Sequence, residues 1–332
     1  MQHHDTGTDT HGDLQGWTAE RGGGRLRGVD QQTLDEDTPV KRVKAARLPS
    51  LTSPAATMTA TLLTDKIMFD RVLAGAGLPT PKLHGVANPH RFVTFNPPGD
   101  RPLRDAAHLL DGQSLFCKPA RSKGGQGSFT ADIQHGKVHV GGQVLSSDEF
   151  GVMLAERAAE RGARRSSRRV IVQERVRNHR RLAAVGGSSL NTMRLLTHYK
   201  GDRPEPFSAV LRFGTGDSMV DNWFSGGLAV HVDVSSGRTR GDAIRKADLA
   251  TFSRHPDSGK KLDGIKVPHF RDAVDAARLA HQLIPDLLTV GWDIALTPDG
   301  PVILEGNTRW SITLHWLTDP GFYDLAMGEL FA

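Results

Sequence analysis

Gly-Trp-Asp-Ile-Ala-Leu-Thr-Pro-Asp-Gly-Pro-Val-Ile-Leu-Glu-Gly-Asn, residues 291–307, is the stretch on which the reading of this chain turns. Pro298, Asp299 and Gly300 are turn formers set between two apolar runs, so the spacing predicts a β-hairpin over 289–307. With those three residues as the loop, Thr297 faces Pro301 and Ala295 faces Ile303. Carried inward, the same pairing sets Asp293 opposite Glu305. Directly opposed residues share a face, with Cβ atoms about 4.5–5.5 Å apart. Asn307 follows Glu305 by two and points to that face as well. Two carboxylates and an amide then converge. Facing carboxylates repel, and a divalent cation removes that cost. An all-oxygen set suits a hard ion such as Mg²⁺. The alternative is that Asp293 and Glu305 are solvated strand ends, and a register slip of one residue would separate them. Against it, both acids follow apolar residues, where an unpaired charge is costly.

A second feature lies upstream. Leu115-Phe-Cys-Lys-Pro-Ala120 reads as a short strand that runs into the glycine-rich segment 121–128, Arg-Ser-Lys-Gly-Gly-Gln-Gly-Ser. Glycines let backbone N–H groups approach phosphate oxygens without Cβ interference. Lys118, on the strand just before the loop, adds a cation against the same phosphates. The spacing is neither that of the P-loop nor the Rossmann fingerprint, and many such loops are plain hairpin turns.

Around these two features, residues 64–81 read as a helix with Thr64 as N-cap, stopped by Gly75, Gly77, Pro79 and Pro81. Strands are expected over 128–134, 137–140, 169–174, 190–199, 207–214 and 227–234, and helices over 147–162 and 268–285. Strands outnumber helices without a strict βαβ alternation, which points to an α+β fold rather than a doubly wound sheet. Trp223, Trp292, Trp310 and Trp316 are expected in the core or pocket wall.

The remaining signals bound the answer. The chain has 332 residues, with 42 Lys plus Arg against 37 Asp plus Glu, a formal charge of +5. Hydrophobic residues are 38% of the chain. That is enough for a core once glycine is counted, and no run is long enough to span a membrane. The first residues lack an apolar h-region, so no secretory leader is expected. A single cysteine, Cys117, cannot close an internal disulfide, which suits a reducing cytoplasm. Residues 1–57 carry no sustained period and are expected to be a disordered or loosely ordered tail. Ten arginines between Arg157 and Arg181 form a basic cluster. Such a cluster can hold phosphates or nucleic acid, though a solvated surface is the plainer reading.

The ordered set of segments resembles the ATP-grasp superfamily, with its sugar-transfer-associated group as the nearest pattern. The carrying residues are 65–69 (DKIMF), 77–82 (GLPTPK), 115–127 (LFCKPARSKGGQG), 170–176 (VIVQERV), 189–197 (SLNTMRLLT), 210–214 (VLRFG), 221–233 (DNWFSGGLAVHVD), 255–260 (HPDSGK) and 291–307. The resemblance spans roughly residues 60–320 and implies two α+β subdomains gripping ATP. It divides the chain into the tail (1–57), a helical or pre-grasp segment (58–112), a small subdomain with the glycine loop (113–176) and a large subdomain with the hairpin (177–332).

By the same resemblance, Lys66 and Lys118 contact ATP phosphates, and the loop bearing Ser122, Gly124, Gly125 and Gly127 closes over them. Gln173, Glu174 and Val176 form a hinge against adenine. Asp293, Glu305 and Asn307 hold Mg²⁺. Arg194 and Arg212 face the phosphate or acyl phosphate, and Asn222, Gly226 and Gly227 border an acceptor site. The residue that holds the ribose is not placed; Asn178 or His179 stands where it is expected. The alternative for Arg194 is an ion pair with a nearby acid, and for Arg212 a pairing with Asp217 or Asp221. His255 is either a loop histidine or catalytic.

The implied activity is ATP-dependent ligation of a carboxylate to an amine through an acyl phosphate, in sugar- or polysaccharide-linked biosynthesis. Its partners are a small-molecule acid and amine, with no membrane. The alternatives are an ATP-grasp kinase acting on a hydroxyl and a non-catalytic basic module for nucleic acid, of which the nucleic-acid reading is disfavoured. No oligomeric state follows from the sequence.

Overall fold

The computed structural model describes residues 54–121, 127–159, 168–216, 223, 226–319 and 321–331. Two antiparallel sheets organise them. The smaller region is an eight-stranded sheet in the order β3-β2-β1-β8-β4-β5-β6-β7. Its strands are β1 (Leu83–Ala87), β2 (Arg91–Phe95), β3 (Pro98–Pro102), β4 (Ser114–Pro119), β5 (Phe129–Gln134), β6 (Lys137–Val140), β7 (Gln143–Leu145) and β8 (Val170–Glu174). The second is a seven-stranded sheet in the order β13-β12-β11-β10-β9-β14-β15. It comprises β9 (Thr192–Lys200), β10 (Arg203–Phe213), β11 (Leu228–Asp233), β12 (Arg238–Arg245), β13 (Thr251–Phe252), β14 (Thr289–Thr297) and β15 (Gly300–Asn307).

Helix α1 (Pro54–Thr64) is followed directly by α2 (Lys66–Gly75). Asp65, not Thr64, caps α2, accepting from the Ile67 and Met68 N–H groups. An ionised cap complements the positive end of the helix dipole. Helix α1 begins four residues inside the stretch expected to be a tail; residues 1–53 lie outside the described residues.

Helix α2 is a wedge between the sheets. Ile67 packs with Leu83 and Ile171 of the small sheet, while Phe69 and Leu73 join Trp292 and Ile294 of the large one. The Lys66 N–H donates to the Ala120 carbonyl at 3.4 Å.

Helices α3 (Ala106–Leu109) and α4 (Ser147–Ala159) back the small sheet through a core of Phe92, Leu115, Phe150 and Leu154. One face of the large sheet is covered by α5 (Arg180–Gly186) and α6 (Phe270–Gln282), whose Leu182, Val185, Ala273 and Ala277 pack on Leu195, Leu211 and Leu296. Near the other face lie α7 (Ile312–Thr318) and α8 (Phe322–Phe331), with Phe207, Trp310 and Phe322 in one cluster. Trp223, Trp292 and Trp310 are fully buried, and Trp316 is partly buried. No helix among the described residues is long and apolar enough to cross a membrane.

Residues 83–102 differ from the expected helical or pre-grasp segment. They fold as β1–β3, and β1 pairs with β8, so they are part of the small sheet.

Candidate functional site

The 289–307 hairpin forms, with a register that differs near its turn. Thr297 pairs with Gly300, Leu296 with Pro301, Ala295 with Val302 and Ile294 with Ile303. A two-residue loop thus replaces the expected three-residue one. The register then shifts between Asp293 and Ile294, and Asp293 pairs with Glu305. The extra residue is Leu304, a β-bulge. Ile303 and Gly306 are buried, whereas Leu304 and Glu305 between them are both only partly buried. The bulge thereby cancels the shorter turn. It also brings Leu304, an apolar side chain that strict alternation would have hidden, into the partly open set.

The three expected ligands converge. Asp293 and Glu305 stand directly opposite each other on β14 and β15. The Asn307 side-chain N–H₂ donates to Glu305 Oε1 at 3.4 Å. Among the described residues no group of three or more His, Cys, Asp or Glu is placed to hold a metal ion; this set is two carboxylates and an amide. Its all-oxygen chemistry fits a hard divalent cation.

Asp293 has further partners. It is buried on β14, flanked by Glu305 on β15 and by Arg194 on β9. Arg194 takes both its oxygens, Nε donating to Oδ1 and Nη2 to Oδ2, the latter at 3.0 Å. Arg212 Nη2 lies 3.3 Å from Oδ1 and its Nε donates to Thr192 Oγ1 at 3.1 Å. Burial alone would push the Asp293 carboxyl up, but the two guanidinium groups hold it well below the usual carboxylate range. Arg194 therefore makes the ion pair named as its alternative. Arg212 pairs with Asp293; its expected alternatives, Asp217 and Asp221, lie outside the described residues.

The lysines approach from the small sheet's side. Lys66 Nζ lies 3.7 Å from Glu305 Oε2. Lys118 is buried on β4, and burial pulls its ammonium down to about 8, offset by the attraction of Glu305 and Asp70 and reinforced by the charge of Lys66. Those mutual charges put Lys118, Lys66 and Glu305 in one neighbourhood where the two sheets meet.

Asp70 was missed by the sequence reading. It is buried on α2, bonded to Arg71, and accepts from Gln173 Nε2 at 3.5 Å. An acid inside the apolar face of 65–73 is the signal that could have found it. The buried Gln173 side chain is thus committed to Asp70. Glu174 ends β8 with its N–H bonded to the Lys82 carbonyl, and Val176 lies beyond the strand, partly buried. Asn178 is occupied in joining the loop to Ser189 and Asn191. His179 caps α5, its Nδ1 accepting from the Arg181 N–H.

The remaining candidates are placed in part. Ser122, Gly124 and Gly125 lie outside the described residues; Gly127 is described and adopts φ 74°. Asn222 is also outside them. Gly226, with φ 101°, accepts at its carbonyl from Thr215 Oγ1, and Gly227 is buried immediately before β11. His255 is buried, with Nε2 2.8 Å from the Gly214 carbonyl oxygen and Nδ1 accepting from the Asp257 N–H. Both nitrogens hold the loop, which answers to the structural reading of this residue.

With this geometry stands a sequence match. Residues 53–324 match the family described as sugar-transfer associated ATP-grasp. The chain belongs to that family, and its fold is the ATP-grasp fold. No curated protein matches it.

Among solved structures, the D-alanine–D-alanine ligase of Coxiella burnetii is similar over 75% of this chain and 48% of its own, at 11% identity and TM-score 0.40. The D-alanine–D-alanine ligase of Bacillus anthracis is similar over 82% of this chain and 67% of its own, at 10% identity and TM-score 0.41. The VanG D-Ala:D-Ser ligase of Enterococcus faecalis is similar over 83% and 62%, at 14% identity and TM-score 0.43. The chain spans about half the length of the Coxiella enzyme.

Proposed function

We propose that this ATP-grasp protein is an ATP-dependent ligase that activates a substrate carboxylate as an acyl phosphate and couples it to an amine. The observation that carries this reading is the meeting of Lys66 and Lys118 with the Asp293–Glu305 pair between the two sheets. Two cations and a convergent oxygen set in one cleft suit a triphosphate with its divalent ion.

In the first step a carboxylate oxygen attacks the γ-phosphorus and ADP leaves. In the second the amine nitrogen attacks the acyl carbon and phosphate leaves. Lys66 and Lys118 bind and orient the phosphates, which is catalysis by positioning and charge. Asp293, Glu305 and Asn307 would hold Mg²⁺, which supplies charge neutralisation on the phosphates. Arg194 and Arg212 keep Asp293 ionised and face the oxyanion of the second step. A charge contact at ~4 Å with an effective dielectric near 20 contributes about 4 kcal/mol before desolvation. The partners are a small acid and a small amine in sugar- or polysaccharide-linked biosynthesis, in a reducing cytoplasm where buried Cys117 stays a thiol.

The test is ADP release by the purified protein across panels of acids and amines, with mass spectrometry of the products. Ligation requires both an acid and an amine and yields an amide. ADP release with a phosphorylated hydroxyl compound and no amide would replace the ligase with a kinase.

A further inference from the structure

A pocket of about 260 Å³ lies away from the Asp293 cluster, lined by His179, Arg180, Arg181, Lys266, Val267, Pro268 and His269. It sits between the N-terminal ends of α5 and α6. Both helices pack into the core that holds Trp292, Ile294 and Leu296. Side chains alternate along β14, so Asp293 points to the opposite face. The pocket is therefore on the other side of the large sheet from the carboxylate cluster.

Its lining is one-signed. Arg180, Arg181 and Lys266 are exposed at its rim. Among the described residues none of the three has a carboxylate within ion-pair distance. The rings of His179 and His269 stand edge to face, with centroids 5.8 Å apart. Among the described residues the one acid within ion-pair distance of the lining is Asp272, with Oδ2 3.4 Å from His269 Nδ1, and its side chain is 67% exposed. His269 holds φ 50°, a left-handed conformation that histidine adopts more readily than most residues, and it thereby turns back beside His179. Burial and the neighbouring charges of His269, Arg181 and Arg180 all disfavour protonation of His179, which reports an uncompensated positive field at this spot.

We propose that this pocket is a second, non-catalytic site for a small phosphate-type oxyanion. Guanidinium groups match phosphate oxygens in paired N–H···O geometry, and an ammonium adds a point charge. The concave shape and volume suit a phosphate or diphosphate group. An extended nucleic-acid backbone would need a longer basic stripe. The site does not depend on the ligase reading, because no residue in it belongs to the Lys118–Glu305 cluster.

Inorganic pyrophosphate, titrated calorimetrically into the full chain without divalent ions, is the probe. The wild type should bind it, and Arg181→Ala/Lys266→Ala should weaken binding by roughly tenfold or more, as expected for loss of charge-assisted hydrogen bonds. Lys118→Ala alters the proposed nucleotide site alone and should keep the binding event that the double variant weakens. Both altered residues of the double variant are exposed, so its thermal unfolding should match the wild type. No binding by the wild type would overturn the proposal. So would undiminished binding by the double variant, or loss in Lys118→Ala of the event that depends on Arg181 and Lys266. A single-stranded oligonucleotide that binds through Arg181 and Lys266 and is not displaced by pyrophosphate would assign the surface to nucleic acid instead.

Discussion

Arg194 on β9 binds both carboxylate oxygens of Asp293 on the neighbouring strand β14, and the pair is buried. The acid at the centre of the candidate site is thus part of the sheet's own charge balance before any ligand arrives. Removing its charge leaves Arg194 and Arg212 without their shared anion inside the protein.

Asp293→Asn is therefore expected to damage the fold as well as the site. Breaking a buried ion pair costs about 3–5 kcal/mol. Urea unfolding should show a loss of that order, together with loss of ADP formation. An unchanged unfolding midpoint would mean that the arginines find other partners. The wild-type contribution also depends on pH. The Asp293 carboxyl is held below its unfolded value of about 3.9. Its stabilisation is complete above that pH and is lost as pH falls below it.

Lys118 gives the nucleotide site a pH dependence of its own. Its folded value near 8 lies below the unfolded lysine value of about 10.4. The side chain is mostly charged at neutral pH and loses its proton as pH rises through about 8. ATP affinity should fall over that rise, as measured by calorimetry at fixed Mg²⁺. Lys118→Ala should bind ATP weakly and without that dependence. A flat wild-type profile would remove Lys118 from the phosphates.

His281 sets a second limit, on stability. It is buried in a chain of hydrogen bonds in which Trp292 Nε1 donates to Thr197 Oγ1 at 2.8 Å, and Thr197 Oγ1 meets His281 Nδ1 at 2.8 Å. His281 Nε2 completes the chain 2.7 Å from the Leu287 carbonyl oxygen. Burial holds the ring near 4, below the unfolded value of about 6.5. The unfolded chain takes up the proton first, so stability falls as pH drops from about 6.5 to about 4, by up to about 3 kcal/mol. Chemical unfolding across that range should show the slope, and His281→Gln should flatten it. An equal slope in the variant would place the titration elsewhere.

The opposition of Asp293 and Glu305 was legible in the sequence, but by a route only half correct. The turn is tighter by one residue than Pro298-Asp299-Gly300 suggested, and the bulge at Leu304 restores the pairing. Neither feature has a strong local signature, and their effects cancel. Strands β4, β8, β9 and β11 were legible because apolar or alternating runs mark buried strands. Strands β1–β3 were not: Pro97, Pro98 and Pro102 and the polar residues between them carry no alternating run, so the stretch was expected only as part of a helical or pre-grasp segment, yet these strands lie toward one edge of the sheet, where proline is tolerated. The partners of Arg194 and Arg212 could not be read from spacing, because β9 and β14 become neighbours only through the sheet order. Asp70 escaped notice for a similar reason: Gln173, which bonds it, comes from the other end of the small region.

Calorimetric titration of ATP with and without Mg²⁺, on the wild type and on Glu305→Gln, tests the central claim most directly. Glu305 is the suitable position because its side chain is 34% exposed and carries less of the buried charge balance than Asp293. The wild type should bind ATP tightly only when Mg²⁺ is present, and Glu305→Gln should lose that enhancement while keeping its unfolding midpoint. Equal Mg²⁺ enhancement in the folded variant, or none in the wild type, would contradict a magnesium–nucleotide site at this hairpin.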